Sequence, residues 1–151
     1  MRTVVLGIGN TILCDEGVGV RAAEALAAGG RLPPEVEVID GGTAGMELLG
    51  PLTDVDLLLV LDAVKTGKPP GTMVVLSGDQ VPVFFRSKLS PHQVSICDVL
   101  AGLEFAGSPP QEIVLIGMEP ESLDLGLELS ATVAARLPEM TARALAELAA
   151  R

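Results

Sequence analysis

Short apolar runs that alternate with helix-forming stretches constrain the fold of this chain most strongly. The run from Asp56 to Leu61 is continuous and apolar, as in a parallel strand that helices cover on both faces. Shorter apolar runs next to turn residues occur at positions 3–6, 36–39, 72–76 and 112–116. This alternation predicts a three-layer α/β/α fold, in which helices flank a single twisted, mostly parallel sheet of about five strands. We expect one domain over residues 1–151.

The helices are predicted from periodicity and from capping residues. The Ala-rich stretch from Gly19 to Ala28 ends at two glycines, as helices commonly do. A second helix is predicted from Ser90 to about Phe105, because Ser90, Pro91 and Gln93 form a capping box. The last helix is predicted over 132–150 with a kink or break at Pro138. We expect 79–89 to be irregular.

Composition excludes several classes of partner. The net charge is −10 and the chain contains neither Trp nor Tyr. A nucleic-acid partner is therefore not expected, because phosphate binding needs a basic face and base stacking needs aromatic rings. The longest apolar run is too short to span a bilayer, and the amino terminus does not resemble a signal peptide. We expect a cytoplasmic protein with no membrane partner.

A single histidine, His92, restricts the possible chemistry further. Sites that need two or three histidines, such as HExxH metallopeptidases, are excluded. Any partner of His92 in a metal or catalytic site must be a carboxylate, a cysteine or the backbone. Carboxylates follow the ends of three predicted strands: Glu16 after the first, Asp40 after the second and Asp62 after the third.

The carboxyl ends of parallel strands share one edge of a sheet, and sites form there. We therefore predict Asn10, Glu16, Asp40, Asp62 and His92 at one edge. Two carboxylates and one imidazole form an O₂N ligand set with vacant positions, which suits Ni²⁺ or Zn²⁺.

Other interpretations remain open at this point. Each of these residues taken singly is typical of a helix cap, a turn or a surface position. Cys14 could bind a soft metal or form a dyad with His92. Gly7 and Gly9 suggest a nucleotide-binding loop, although the third glycine of that fingerprint is replaced by Ile12. A metal-dependent binding protein without hydrolytic activity would use the same ligands.

Six motifs resemble those of the nickel–iron hydrogenase maturation endopeptidases. They are VLGIGNTILCDEGVGVR (5–21), DGGTAGMELL (40–49), LDAV (61–64), PGTM (70–73), SPHQ (90–93) and GMEPES (117–122). The likeness implies an endopeptidase that removes the C-terminal extension of a nickel-loaded hydrogenase large-subunit precursor. An alternative is a nickel-dependent chaperone or sensor of that precursor.

The resemblance also assigns roles to residues. It places the metal ligands and catalytic groups at Glu16, Asp62 and His92, with nickel supplied by the precursor and no organic cofactor. It assigns substrate binding to the DGGT motif, that is Asp40, Gly41, Gly42 and Thr43. Phe84 and Phe85, with the basic residues Arg86 and Lys88, suggest a docking lip for the precursor. The alternative is a core-packed Phe pair flanked by solvated charges.

Overall fold

The computed structural model describes residues 1–86 and 96–151. These described residues form five strands and four α-helices, together with two short 3-10 helices at Cys14–Gly17 and Met46–Leu49. In order, the elements are β1 (Thr3–Ile8), α1 (Val18–Ala28), β2 (Val36–Gly42), β3 (Leu57–Ala63), β4 (Met73–Ser77), α2 (Gln80–Arg86), α3 (Ile96–Phe105), β5 (Glu112–Met118) and α4 (Ala131–Ala149).

All five strands form one sheet in the order β2-β1-β3-β5-β4. The pairs β1–β2, β1–β3 and β3–β5 are parallel, whereas β4 pairs with β5 in the antiparallel direction. The prediction of a mostly parallel five-stranded sheet flanked by helices is therefore confirmed. The carboxyl ends of β1, β2, β3 and β5 lie at the same edge, which we call the carboxyl edge.

Two hydrophobic cores cover the two faces of the sheet. Residues of β3 alternate between them: Leu58 and Val60 pack with α2, α3 and the Met46–Leu49 helix, and Leu59 and Leu61 pack with α1 and α4. This alternation explains why β3 is apolar at every position from Leu57 to Leu61, since both faces of the strand are buried. In the described parts of the chain, no helix has the length and apolar character needed to cross a membrane.

The prediction of irregular structure over 79–89 is wrong for Gln80–Arg86, which form α2. Pro82 lies in the first turn of this helix, where the missing backbone N–H costs no intrahelical hydrogen bond. Val81 and Phe85, four residues apart, lie on one side of the helix and are buried. Burial of this side against the sheet supplies the stabilisation that local sequence signals did not reveal.

The last helix, α4, continues from Ala131 to Ala149 through Pro138. Of the kink or break predicted at Pro138, the break is therefore not found. Ser130 caps this helix, and its side chain accepts a hydrogen bond from the Val133 N–H. Buried residues Val133, Met140 and Ala144 lie on both sides of the proline and hold the helix against the sheet. Packing of this face outweighs the cost of a proline inside a helix.

Replacing the exposed Pro138 by Ala is expected to stabilise the protein by about 1–2 kcal/mol. The substitution restores a helical N–H donor and removes the clash with the preceding turn, while the freer unfolded chain offsets part of the gain. Urea unfolding measures the change. Glu139→Ala, which removes only an exposed ion pair with Arg136, should stay within about 0.5 kcal/mol of wild type. A destabilised Pro138→Ala variant would show that the proline fits its position without strain.

Candidate active site

Close backbone contacts at four glycines place the Cys14–Gly17 helix against the ends of β1 and β3. A Cβ at Gly9 would collide with the carbonyl oxygen of Glu16, and one at Gly19 with that of Leu61. Gly7 contacts the first turns of α1 in the same way, and Gly17 contacts Thr11. The glycines that suggested a nucleotide loop therefore serve close packing here. Because these glycines lack side chains, Glu16 can lie next to the end of β3.

The charges of Glu16 and Asp62 interact at the carboxyl edge, and we call these two residues the carboxylate pair. Asp62 is the sixth residue of β3 and lies beside Gly117 of β5. Burial raises the pKa of Asp62 well above its usual value, and the negative charge of Glu16 raises it further; one hydrogen bond from the Ala63 N–H, 2.8 Å long, opposes this. Burial also raises the pKa of Glu16. Among the side chains of residues 1–85 and 96–151, neither carboxylate pairs with a cation.

The neighbouring Asp15 has a different environment. Its side chain is fully buried and accepts hydrogen bonds from the backbone N–H groups of Glu121, Ser122 and Ser130 and from the Ser130 hydroxyl, at 2.8–3.0 Å. Burial acts to raise the pKa of Asp15, but these hydrogen bonds outweigh it and hold the pKa below its usual value. Asp15 is therefore saturated with donors and fixes the 121–130 segment against the Cys14–Gly17 helix.

Glu119 is a second saturated carboxylate, which sequence reasoning did not single out. It accepts hydrogen bonds from the Thr66 hydroxyl at 2.6 Å, from the Thr66 N–H at 2.8 Å and from the Lys68 N–H at 3.1 Å. These bonds, aided by the charge of Lys65, hold its pKa below the usual value despite burial. Glu119 thus fixes the loop that follows Asp62. Its only signal in the sequence was its place in the GMEPES motif.

Asp40 lies at the same edge but apart from the carboxylate pair. It is exposed on β2 and pairs with Gly7, which in turn pairs with Leu61. Two strand spacings, about 10 Å in all, separate the Cα atoms of Asp40 and Leu61. Because side chains alternate between the faces, Asp40 shares the face of Leu61, and Asp62 lies on the other face. The structure therefore places Asp40 and the exposed Thr43 beside the pair and not within it.

Gly41 and Gly42 give the end of β2 its shape. The register between β1 and β2 shifts after Gly7 and Asp40, so that Ile8 pairs with Gly42. Gly42 has a φ of 48°, a conformation that L side chains rarely adopt, and its carbonyl accepts a hydrogen bond from the Gly9 N–H at 2.9 Å. The DGGT motif therefore ends β2 beside the glycine loop of β1.

His92 lies outside the described residues, as do Ser90 and the predicted start of the helix. The described part of that helix, α3, packs on the face of the sheet to which Asp62 belongs. The chain after α3 meets the amino edge, where the Ser108 hydroxyl accepts a hydrogen bond from the Asp54 N–H. The Ile96 end of α3 is therefore directed towards the carboxyl edge, and His92 precedes Ile96 by four residues.

The described residues contain no group of three or more His, Cys, Asp or Glu side chains that could hold a metal ion. Of the three predicted ligands, Glu16 and Asp62 lie among these described residues. Cys14 has a φ of 48°, and its sulfur packs against Gly126.

The two phenylalanines considered for a docking lip pack with each other and with the core. Their rings meet edge to face, with centroids 5.5 Å apart. Phe85 is buried and Phe84 is partly buried against the same cluster. This position favours the core-packing interpretation for the pair.

Several known proteins that resemble this chain are named for the maturation or formation of hydrogenases. A family model described as hydrogenase maturation protease matches residues 20–147. The chain belongs to the hydrogenase maturation protease family. The hydrogenase 2 maturation protease of Escherichia coli (strain K12) is 46% identical over 149 residues, which cover 98% of this chain and 91% of that protein. The hydrogenase expression/formation protein HupM of Azotobacter chroococcum mcd 1 is 44% identical over 150 residues, 98% of this chain and 72% of that protein.

Solved structures agree with this assignment. The hydrogenase maturating endopeptidase HybD from Escherichia coli superposes with a TM-score of 0.89 at 45% identity, covering 98% of this chain and 92% of that one. The hydrogenase maturation protease HybD from Thermococcus kodakarensis gives a TM-score of 0.74 at 26% identity, with coverage of 95% and 97%. The predicted family and the predicted enzyme class, an endopeptidase of hydrogenase maturation, are confirmed.

Proposed function

We propose that this protein removes the C-terminal extension from the nickel-loaded large-subunit precursor of a nickel–iron hydrogenase. Membership of the maturation protease family supports the reaction type, and the carboxylate pair of Glu16 and Asp62 supports the nickel requirement. The precursor is the protein partner. We also propose a cytoplasmic location, because the precursor is processed as newly made protein. Neither nucleic acid nor a membrane has a role in this reaction.

The main support for a nickel requirement is that four acidic residues at the carboxyl edge differ in their hydrogen bonds and in their pKa values. Asp15 and Glu119 are saturated with hydrogen-bond donors, and their pKa values are lowered. Glu16 and Asp62 accept few hydrogen bonds, the charge of Glu16 acts on Asp62, and the pKa values of both are raised. Two close carboxylates without a cation are unfavourable when both are ionised, and a divalent ion removes this repulsion.

His92 completes the proposed ligand set. An imidazole with two carboxylate oxygens suits nickel and leaves positions for ligands that remain on the precursor. Nickel is accordingly part of the substrate, and the protein alone holds a divalent ion only weakly. A precursor without nickel lacks this anchor, so the same three residues select the loaded form.

Binding of the nickel places the scissile peptide beside the carboxylate pair. A water molecule, polarised by the metal or by a carboxylate, adds its oxygen to the scissile carbonyl carbon, and its proton passes to the departing amine. Asp40, Gly41, Gly42 and Thr43 bind the extended precursor segment next to this point, because they end an edge strand and Asp40 and Thr43 are exposed.

We expect cleavage of nickel-loaded precursor to exceed that of nickel-free precursor by at least about 100-fold, since only the loaded form can be anchored by the ligands. Mass spectrometry of purified precursor after incubation with the protein measures the cut. Heat-denatured protein is the control. Equal cleavage of both forms would contradict nickel recognition, and tight binding of the loaded precursor without any cut would favour the chaperone or sensor instead.

A further inference from the structure

Residues 121–130, in the connection between β5 and α4, are held by hydrogen bonds at both ends. Asp15 binds the backbone of Glu121 and Ser122 at one end and Ser130 at the other. In the middle, Gly126 exchanges hydrogen bonds with the Ile12 carbonyl at 2.8 Å and the Cys14 N–H at 2.9 Å. Arg21 also donates to the Leu127 carbonyl at 3.0 Å. The segment is therefore fixed beside the helix that carries Glu16.

This fixed segment exposes large apolar side chains. Leu125 is 81% exposed, Leu127 is 68% exposed and Leu123 is 40% exposed, and the adjacent Ile12 is 48% exposed. We call these four residues the leucine ridge. Single exposed leucines are ordinary, but several apolar side chains on one anchored segment are typical of a protein-binding surface.

Acidic side chains flank the leucine ridge. Glu121, Asp124 and Glu128 are exposed on the same segment. Across the side chains of residues 1–85 and 96–151, these three carboxylates form no ion pair. The segment therefore alternates apolar and negative side chains, and its complement is a surface in which apolar residues alternate with Lys or Arg.

We propose that the leucine ridge is a docking surface for the hydrogenase large-subunit precursor, which it binds through a basic, apolar segment distinct from the cleavage site. This rests on the proposed function, because that function makes the precursor the protein partner. The ridge adjoins the carboxyl edge: Ile12 lies four residues before Glu16, and the segment is hydrogen-bonded to Asp15. A precursor bound here is held next to the carboxylate pair.

The test compares Leu125→Ser/Leu127→Ser with Phe105→Ser. Phe105 is 96% exposed at the end of α3, near the amino edge, so it is an equally exposed apolar residue away from the ridge. All three side chains are largely exposed, and the variants should keep the unfolding temperature of the wild type. We expect the double variant to raise KM for nickel-loaded precursor by at least about 10-fold with kcat within twofold of wild type. Phe105→Ser should change neither constant.

Binding of nickel-free precursor, followed by calorimetry, separates this proposal from the proposed function, because docking on the ridge needs neither nickel nor cleavage. The double variant should weaken this binding by a similar factor. Asp124→Asn/Glu128→Gln should weaken it about threefold at low ionic strength and little at about 0.5 M salt, where charges are screened. If the wild-type protein binds the precursor without cleaving it, and the double variant loses this binding, the result contradicts the proposed function and leaves the docking proposal standing.

Three results would overturn the docking proposal. The first is an unchanged affinity in the double variant. The second is an equal loss of affinity in Phe105→Ser. The third is a change in sedimentation from dimer to monomer in the double variant with unaltered precursor affinity, which would assign the ridge to a second copy of this chain.

Discussion

Asp62→Asn is expected to yield a folded protein that is more stable than wild type and cleaves nickel-loaded precursor at least about 100-fold more slowly. The amide replaces a partly buried carboxylate whose pKa is raised by burial and by Glu16. It also removes a proposed nickel ligand. Substitutions that relieve such functional strain commonly stabilise a protein by about 0.5–2 kcal/mol. Cleavage is measured by mass spectrometry, and stability by urea unfolding.

The stability gain should depend on pH in a defined direction. The folded protein holds the protons of Asp62 and Glu16 more tightly than the unfolded chain, because both pKa values are raised on folding. The contribution of these groups to stability is therefore complete below about pH 4, near the unfolded carboxyl pKa values, and is lost as the pH rises through the folded values. The difference between Asp62→Asn and wild type should accordingly be small at pH 4 and larger at pH 8.

Asp79→Asn is the matched control, because Asp79 is an exposed carboxylate after β4. It should cleave the precursor like wild type at every pH. Undiminished processing by Asp62→Asn would remove Asp62 from the site. A loss of stability in Asp62→Asn would show that other interactions already offset the repulsion between the two carboxylates.

Asp15→Ala is expected to destabilise the protein by about 3–5 kcal/mol, the largest effect on stability among the substitutions considered. It leaves three backbone N–H groups and the Ser130 hydroxyl without their acceptor, and each unsatisfied buried donor costs about 1–3 kcal/mol, partly relieved by water. Asp15→Asn, which keeps one acceptor oxygen, should lose less. Thermal and urea unfolding measure both.

The pH dependence of this effect has the opposite sign to that of Asp62. Because the pKa of Asp15 is lowered on folding, its stabilisation is complete above the unfolded value of about 3.9 and is lost as the pH falls through the folded value. The deficit of Asp15→Ala should therefore shrink in strong acid. Asp124→Asn changes an exposed carboxylate on the same segment and should alter stability by less than about 0.5 kcal/mol. An Asp15→Ala variant as stable as wild type would show that the 121–130 segment needs no anchor.

The sequence was sufficient for the fold class because its signals are local. Continuous burial of β3 on both faces requires an apolar residue at every position, and that run is visible in the chain from Leu57 to Leu61. The position of Asp62 at the end of this run also followed directly. The antiparallel direction of β4 and the helix at Gln80–Arg86 were not predictable, because contacts between distant segments decide both.

At the site, sequence alone proposed Glu16, Asp62 and His92, but it could not explain why Asp15 and Glu16, which are adjacent, should have different roles. The tertiary structure decides this. Asp15 is directed towards the 121–130 segment, whose N–H groups lower its pKa, and Glu16 lies beside Asp62, where burial raises the pKa of both. The sequence supplies the carboxyl groups and the glycines that allow close approach. Protonation and chemistry depend on which donors and charges surround each group, and residues more than 100 positions away provide the donors that bind Asp15.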